Sequence, residues 1–430
     1  MTLREAGVEL FDCDHRTPPR AVEGIPYVAI PQLQDGRINI SDARRISHAN
    51  FLEWTRKTRP TDGDIVLSRR CNPGETAVVP AGLEFALGQN LVLLRADGKI
   101  SDAGFLRWAV RSPAWWEEIK KYINVGAIFE SLRCRDIPEF TLPFPPIEVQ
   151  REVARVLDVL DAKIEFMRLQ NEASEAIARA IFKSWFVDFD PVRAKAEGRE
   201  PEGMDAATAA LFPSEFEDSV LGSIPQGWKL GTIFDIANLL SGGTPKTSRD
   251  DYWGGTIAWA SAKDVSQCRQ SFLVKTERTI TERGLVESST KLIPAYSTVV
   301  VARGATTGRM ALLGRDMAMN QTCYALESRL EAPFALHCLI QNLMNQLVHA
   351  AHGSVFETIT TSTFSGTQIL LPPPALLKQC ETLIDVLFRR ILISTEMIAS
   401  LVGLRDTLLP RLISGKLRVP EAEKMVEAAL

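Results

Sequence analysis

The feature that most constrains this chain is that it is written twice. "GDIVLSR" at 63–69 is answered by "STVVVAR" at 297–303, and "GQNLVLL" at 88–94 by "NQTCYAL" at 320–326. "GAIFESL" at 126–132 is answered by "GSVFETI" at 353–359, and "PFPPIEVQ" at 143–150 by "LLPPPALLKQ" at 370–379. The order is the same in both halves, and the spacing drifts only from 234 to about 228 residues, as small loop insertions and deletions would produce. One such pair is chance; four in order describe a duplicated unit. At 430 residues the chain also exceeds what one hydrophobic core supports, so more than one domain follows from size alone.

Each copy has a mixed part and a helical part. Strand-like runs such as Ile65–Leu67 and Val299–Val301 lie among Gly, Pro and Asn turns, which predicts a compact domain with a substantial β portion. A long helix then begins just after a proline pair, where helix starts are favoured. In the first helix Val153, Leu157, Leu160, Ile164, Met167, Ala178, Ile181 and Trp185 keep a four-then-three spacing, interrupted at Asn171 and Ser174. In the second, Ile384, Leu387, Ile391, Ile398, Leu401, Leu408 and Leu412 keep the same rhythm, interrupted at Ser394 and Arg405. Heptads of this length predict helices that pair with each other, each roughly 50 Å long and serving as a spacer; a coiled coil joining two copies of the chain is the alternative. The expected architecture is α+β with a pseudo-two-fold internal repeat. Mixed α/β domains at 1–146 and 201–373 are separated by two long antiparallel coiled-coil helices, one in the spacer and linker 147–200 and one in the spacer and tail 374–430.

The stretch "IFKSWFVDFDPVRAK" at 181–195 closes the first helix and poses a choice between an active site and a joint. Asp188 and Asp190 could grip a divalent metal, but "LLPRLISGKLR" at the corresponding end of the second helix carries no carboxylate. Ile181 and Trp185 continue the heptad seam, so the aromatics read as the end plug of a helical pair that Pro191 then stops.

Composition excludes several classes. A net charge of −4 argues against a chain that coats nucleic acid by bulk positive charge. Locally, Arg44, Arg45, Arg56, Lys57, Arg59, Arg69 and Arg70 form a basic strip that could follow phosphates or simply be a solvated face. The seven cysteines are scattered without a CxxC pair, which predicts reduced thiols and no zinc frame. His349 and His352 are three apart without a joining cysteine or carboxylate, so no metal is expected there. No run of about 18 apolar residues spans a bilayer, and the first residues lack the plan of a signal peptide, so a cytoplasmic protein is expected.

"FDCDHRTPP" at 11–19, "GDIVLSRR" at 63–70, "KSWFVDFDPVRAKAEG" from 183, "GWKLGTIFDIANLLSGGTPKTSRDDYWGGTIAWASAKDV" at 227–265 and "LLPRLISGKLRV" at 408–419 resemble the specificity subunit of type I restriction-modification enzymes. The resemblance covers nearly the whole chain, and the family's order of target-recognition domain, helix, target-recognition domain, helix matches the repeat. It implies a non-catalytic subunit that reads a bipartite, asymmetric double-stranded DNA target. Two methyltransferase subunits would dock largely on the helical regions, and restriction subunits would join through them. S-adenosylmethionine, ATP and Mg would then belong to the partner subunits, with no cofactor or metal bound by this chain. The residues agree: "ISGKL" has Pro410 where a phosphate loop needs its first glycine, "FPPI" and "LPPP" lack the polar first residue of the aminomethyltransferase tetrad, and "FSGT" is too short for a cofactor loop.

DNA-reading candidates follow from side-chain chemistry: Arg forks onto guanine, Asn and Gln onto adenine, and Lys and Thr at glycine-rich turns suit phosphates. In the first domain these are Arg69, Arg70, Gln89 and Asn90, with Arg16 and Thr17 behind them. In the second they are Thr244, Lys246, Lys263, Arg303, Thr306, Thr307, Asn320 and Gln321. Arg69 and Arg303 recur at one repeat position, which fits a shared salt bridge as well as a shared DNA contact. Trp253 and Trp259 beside Lys246 and Lys263 fit rim packing as well as base stacking. Two rival functions remain at this stage: a nuclease using Asp188 and Asp190, and an adaptor whose helices clamp two copies of a partner without touching DNA.

Overall fold

The computed structural model describes the chain except the backbone of 126–129 and 353–357 and the side chains of 125–129 and 349–357. Most of the "GAIFESL" and "GSVFETI" pair, and the side chains of His349 and His352, therefore lie outside the described residues. Two compact units are formed: Met1–Ile164 with Ser400–Leu430, and Glu165–Ala399. Two 40-residue helices, Ile147–Phe186 and Pro374–Ile413, each contribute to both units. None of the seven cysteines is paired, and no described helix is long and apolar enough to cross a membrane.

In the first unit, the main strands are β1 (Glu9–Asp12), β2 (Ile25–Val28), β3 (Arg44–Ile46), β4 (Ile65–Ser68), β5 (Thr76–Val78), β6 (Ala86–Leu87) and β7 (Leu91–Arg95). One antiparallel sheet runs β1-β7-β4-β5, and a second runs β3-β2-β6 with β2 and β6 parallel. Ile65, Val66 and Leu67 in β4 and Leu91 to Leu94 in β7 are all buried. These strands are covered on both faces, which is why they read as continuous apolar runs rather than alternating ones.

The second unit repeats this plan with β8 (Ala237–Ser241), β9 (Trp253–Ala260), β10 (Phe272–Leu273), β11 (Arg278–Ile280), β12 (Leu292–Ile293), β13 (Thr298–Val301), β14 (Met310–Leu313), β15 (Met317–Met319) and β16 (Cys323–Ser328). Its sheets run β8-β16-β13-β14-β10 and β11-β9-β15-β12, with β9 and β15 parallel as β2 and β6 are. Strands β10 and β12 are the additions of this copy.

Register corrects one part of the sequence alignment. Ile65 faces Leu94 and Ser68 faces Leu91, while Thr298 faces Leu326 and Val301 faces Cys323. With "GQNLVLL" on "NQTCYAL", β4 therefore maps onto β13 one residue away from the match of "GDIVLSR" with "STVVVAR". Two backbone bonds agree: Arg69 N donates to the Asn90 carbonyl and Ala302 N to the Thr322 carbonyl, both at 2.9 Å. The counterpart of Arg69 is Ala302, and the counterpart of Arg303 is Arg70. The slip matters because neighbouring residues of a strand point to opposite faces.

The long helices run antiparallel within each unit. In the first unit Arg405 of the second helix reaches Asp161 of the first, and in the second unit Asn171 Nδ2 lies 3.4 Å from Thr395 Oγ1. The expected seam is buried at Val153, Leu157, Leu160, Ile164, Met167, Ala178 and Trp185, but Phe182 takes the place of Ile181. A straight helix drifts about 20° per heptad from a strict 3.5 repeat, so after four heptads the inward face has moved by about one residue. In the second helix Phe388 is fully buried where Leu387 was expected, and it stacks on Phe334 with ring centroids 4.8 Å apart.

The stretch after the first helix is a packed joint inside the second unit. Trp185 meets Phe212 edge-on at 5.2 Å, Phe186 lies 5.9 Å from Trp228, and Phe189 meets Trp228 at 5.5 Å. Phe189 adopts a left-handed backbone, φ 57°, which turns the chain into the short helix Asp190–Ala196. The two carboxylates do not face a common point: Asp188 pairs with Lys183, and Asp190 accepts from Ser184 Oγ at 2.7 Å.

Candidate nucleic-acid interface

In the first unit, the end of β1, the end of β4 and the turn between β6 and β7 converge. Asp12, His15, Arg69, Arg70, Gln89, Asn90 and Cys134 line a polar cavity of about 380 Å³. Thr17, Gln89 and Asn90 also line a cavity of about 390 Å³ with Tyr27, Asp42 and Arg44. Five of the six residues expected in this domain are thus brought together.

They are not equivalent. Arg69 is buried; its Nη1 donates to the Leu132 carbonyl at 3.4 Å and its Nη2 lies 3.7 Å from Asp12. Arg70 and Gln89 are exposed, and Asn90 is half-buried. The Gln89 amide N–H donates to Tyr27 Oη at 3.0 Å, and His15 Nδ1 lies 3.2 Å from the Gln89 carbonyl, which pins the turn from both sides. Arg16 is the residue left out: it is held by Asp14 and Glu53, each at 2.8 Å, and stacks over Trp54. Its hydrogen bond pulls the Asp14 carboxyl down to about 2.

Asp12, Cys13 and His15 place three metal-capable ligand atoms within 4.8 Å of one another, the one such group among the described residues. It went unread in the sequence, although the three residues lie within four consecutive positions. Burial pushes the Cys13 thiol up to about 11, Arg69 lies beside Asp12, and the Asp12 carboxylate already meets His15 Nε2 at 3.0 Å, so the three side chains are engaged with one another and with Arg69.

In the second unit Thr244 Oγ1 donates to Gln321 Oε1. Asn320 uses its Oδ1 to accept from Thr322 N at 3.2 Å and Thr322 Oγ1 at 2.8 Å. Gly242 is required at the exit of β8, since a Cβ there would sit 2.2 Å from the Asn320 carbonyl oxygen. Lys246, Arg303 and Thr306 are exposed, and Thr307 Oγ1 donates to the Gly304 carbonyl at 2.7 Å within a turn where Gly304 and Gly308 have φ of 99° and 89°. Lys263 is paired with Glu277 at 2.7 Å. Trp253 and Trp259 pack edge-on at 5.2 Å with Arg278 lying 3.4 Å over Trp253, so this aromatic pair is a packed element of the unit.

One correspondence escaped the sequence reading. Trp54 Nε1 donates to the Arg16 carbonyl at 2.9 Å, and Trp259 Nε1 donates to the Gly243 carbonyl at 3.0 Å. Each indole holds the carbonyl just before a Thr-Pro pair, Thr17-Pro18 and Thr244-Pro245, and both prolines are buried. The signal was present as "TPP" and "TPK", each following the first strand of its main sheet.

Against known proteins, the family model described as type I restriction modification DNA specificity domain matches residues 14–175 and again 225–399. The chain belongs to the type I restriction-modification specificity family. Its two matched segments are the two copies of the repeat. This specificity subunit is 28% identical over 417 residues to the type I restriction enzyme HindI specificity subunit of Haemophilus influenzae, covering 86% of this chain and 90% of that one. It is 26% identical over 366 residues to the type I restriction enzyme MjaIX specificity subunit of Methanocaldococcus jannaschii, covering 84% and 78%. The crystal structure of the type I restriction-modification system S subunit from M. genitalium shares the fold, with a TM-score of 0.56 at 15% identity, covering 96% of this chain and 95% of that one. Membership gives the chain a role in DNA recognition and not in catalysis.

Proposed function

We propose that this specificity subunit reads a split, asymmetric site on double-stranded DNA, one part with each recognition unit, and positions two methyltransferase subunits for N6-adenine methylation. Restriction subunits, joining through the methyltransferases, would add ATP-dependent cleavage. S-adenosylmethionine, ATP and Mg would be held by those partners, and the target adenine would leave the stack to enter a methyltransferase pocket, because its amino group is out of reach inside the duplex. The observation that carries the reading is the duplicated topology with unequal surfaces. Two related units suit two contacts of the same kind, and the different residues on them suit two different half-sites.

The helices support two copies of one partner. Both are 40 residues long and start 227 residues apart, so Val159 and Val386, and Phe166 and Ile393, occupy matching positions. All four are strongly exposed, at 45%, 68%, 56% and 63%. Apolar side chains left in solvent at the same places on both copies of a duplicated helix are what repeated docking of an identical subunit would use.

The test is single-molecule sequencing of DNA from cells that express this chain with its neighbouring methyltransferase, beside cells with the methyltransferase alone. N6-methyladenine confined to one split motif, and only when this chain is present, is expected. Co-purification of the two proteins without any new motif would favour an adaptor that does not read DNA.

A further inference from the structure

Register and the Thr-Pro correspondence place three pairs of identical residues at equivalent positions of the two recognition units: Thr17 with Thr244, Arg70 with Arg303, and Gln89 with Gln321. Resting on the function proposed above, we infer that these pairs form two copies of one backbone clamp, which grips the DNA sugar-phosphate chain in each half-site and does not read bases.

Asymmetry separates contacts to bases from contacts to the backbone. If the two half-sites differ in sequence, residues that read bases must differ between the units. Residues alike in type and place must meet what both half-sites share. They share the adenine to be methylated, which leaves the stack for the partner's pocket, and the backbone, which takes half to two-thirds of protein–DNA hydrogen bonds and fixes position on the duplex.

Chemistry agrees. Arg70 and Arg303 are exposed at the end of a central strand of each unit and can fork onto phosphate oxygens. Gln321 could read adenine only with both its carbonyl oxygen and its amide NH2. Its Oε1 already accepts from Thr244, which occupies one of that oxygen's two lone pairs and orients the amide, while the NH2 supplies donors, the polarity a phosphate needs. Thr17 and Gln89 line one cavity in the first unit, so the same two residue types are again neighbours.

The positions that differ mark where sequence is read. Asn90, which lines both cavities beside Gln89, has Thr322 as its counterpart, so it belongs to the first unit's own code.

The experiment compares Arg70→Ala, Arg303→Ala and Asn90→Ala with the wild-type chain, each assembled with its methyltransferase. Two quantities are read: binding to a duplex carrying the methylated motif and to an unrelated duplex across a salt series, and the motif methylated in cells. Each arginine variant is expected to weaken both duplexes by the same factor, about 5- to 10-fold, and to lower the slope of log affinity against log salt by about 1 with the motif unchanged. Asn90→Ala is expected to relax one base of one half-site. Relaxation of a base by an arginine variant, or arginine variants with wild-type slope and motif, would overturn the clamp. A wild-type complex with no split motif would instead remove the function on which it rests, while the salt slopes still decide whether Arg70 and Arg303 meet phosphate.

Discussion

Arg405, late in the second long helix, donates to the buried carboxylate of Asp161 in the first at 3.1 Å. In the sequence Arg405 is only a break in a heptad. In the structure it is one of three arginines on one carboxylate, since Arg37 donates to Asp161 at 2.7 Å and Arg107 also bonds it. Burial alone would raise the Asp161 carboxyl, but Arg107, Arg37, Arg111 and Arg405 together hold it below the ordinary carboxylate range. One side chain thus ties, within the first unit, the hairpin Leu33–Ile38, the short helix Ala103–Ala109 and both long helices.

Removing that carboxylate leaves several arginines facing one another in a dry place. Asp161→Ala is expected to cost about 3–5 kcal/mol, read by urea unfolding followed through tryptophan fluorescence. Because the folded carboxyl is depressed, its contribution is complete above the ordinary carboxylate range and is lost as pH falls through the lowered value. The variant should therefore lose part of the acid sensitivity along with the stability. A cost below about 1 kcal/mol would mean the network contributes no more than a surface pair.

Two buried groups of the second unit should oppose each other in pH dependence. Burial pushes the Glu381 carboxyl up to about 7, even though it accepts the N–H groups of Ala335 and Phe334, and burial pulls His337 down to about 4. A raised acid loses stability as pH rises through 4.5 to 7; a depressed histidine loses it as pH falls from 6.5 to 4. Each amounts to about 3 kcal/mol, and they offset across their shared window. Glu381→Gln should make stability climb with pH, and His337→Gln should make it fall. Parallel pH profiles for the two variants would contradict this.

Asp188 and Asp190 serve the joint. Asp188→Asn and Asp190→Asn are expected to change unfolding free energy by about 1 kcal/mol or less, the scale of one exposed pair or one hydrogen bond. Neither should alter Mg-dependent cleavage by the assembled restriction complex. Loss of cleavage with the complex intact would restore the nuclease reading.

The exposed helix positions give a binding test. Phe166→Glu with Ile393→Glu should abolish co-purification with the methyltransferase while leaving the thermal melt of the chain within a few degrees of wild type, since both side chains are already in water. Retained co-purification would place the docking surface elsewhere.

The sequence made the repeat, the paired helices and the joint legible because each leaves a local pattern: an ordered set of matching segments, a heptad, an aromatic run before proline. Register was not local. "GDIVLSR" and "STVVVAR" look aligned through Arg69 and Arg303, and only the partners of β4 and β13 show that Arg70 is the true counterpart. The Thr-Pro correspondence was hidden for a similar reason, since its tryptophan partners, Trp54 and Trp259, lie at different sequence distances from it. Arg16 stood behind Arg70 as a candidate, and of the two carboxylates that engage it Asp14 is a near neighbour in sequence while Glu53 is 37 residues away. Fold class follows from periodicity, while the state of a surface arginine follows from neighbours that periodicity does not name.

The division of the chain has a temporal consequence. The second unit is one continuous stretch, Glu165–Ala399, whereas the first needs Ser400–Leu430 to be complete. Of the three arginines on Asp161, two come before it in the chain and the third follows 244 residues later. On the ribosome, the unit that starts first is therefore the one that finishes last, and its closing step is a long-range contact of the kind that slows folding. Until Arg405 emerges, Asp161 waits with only part of its counter-charge.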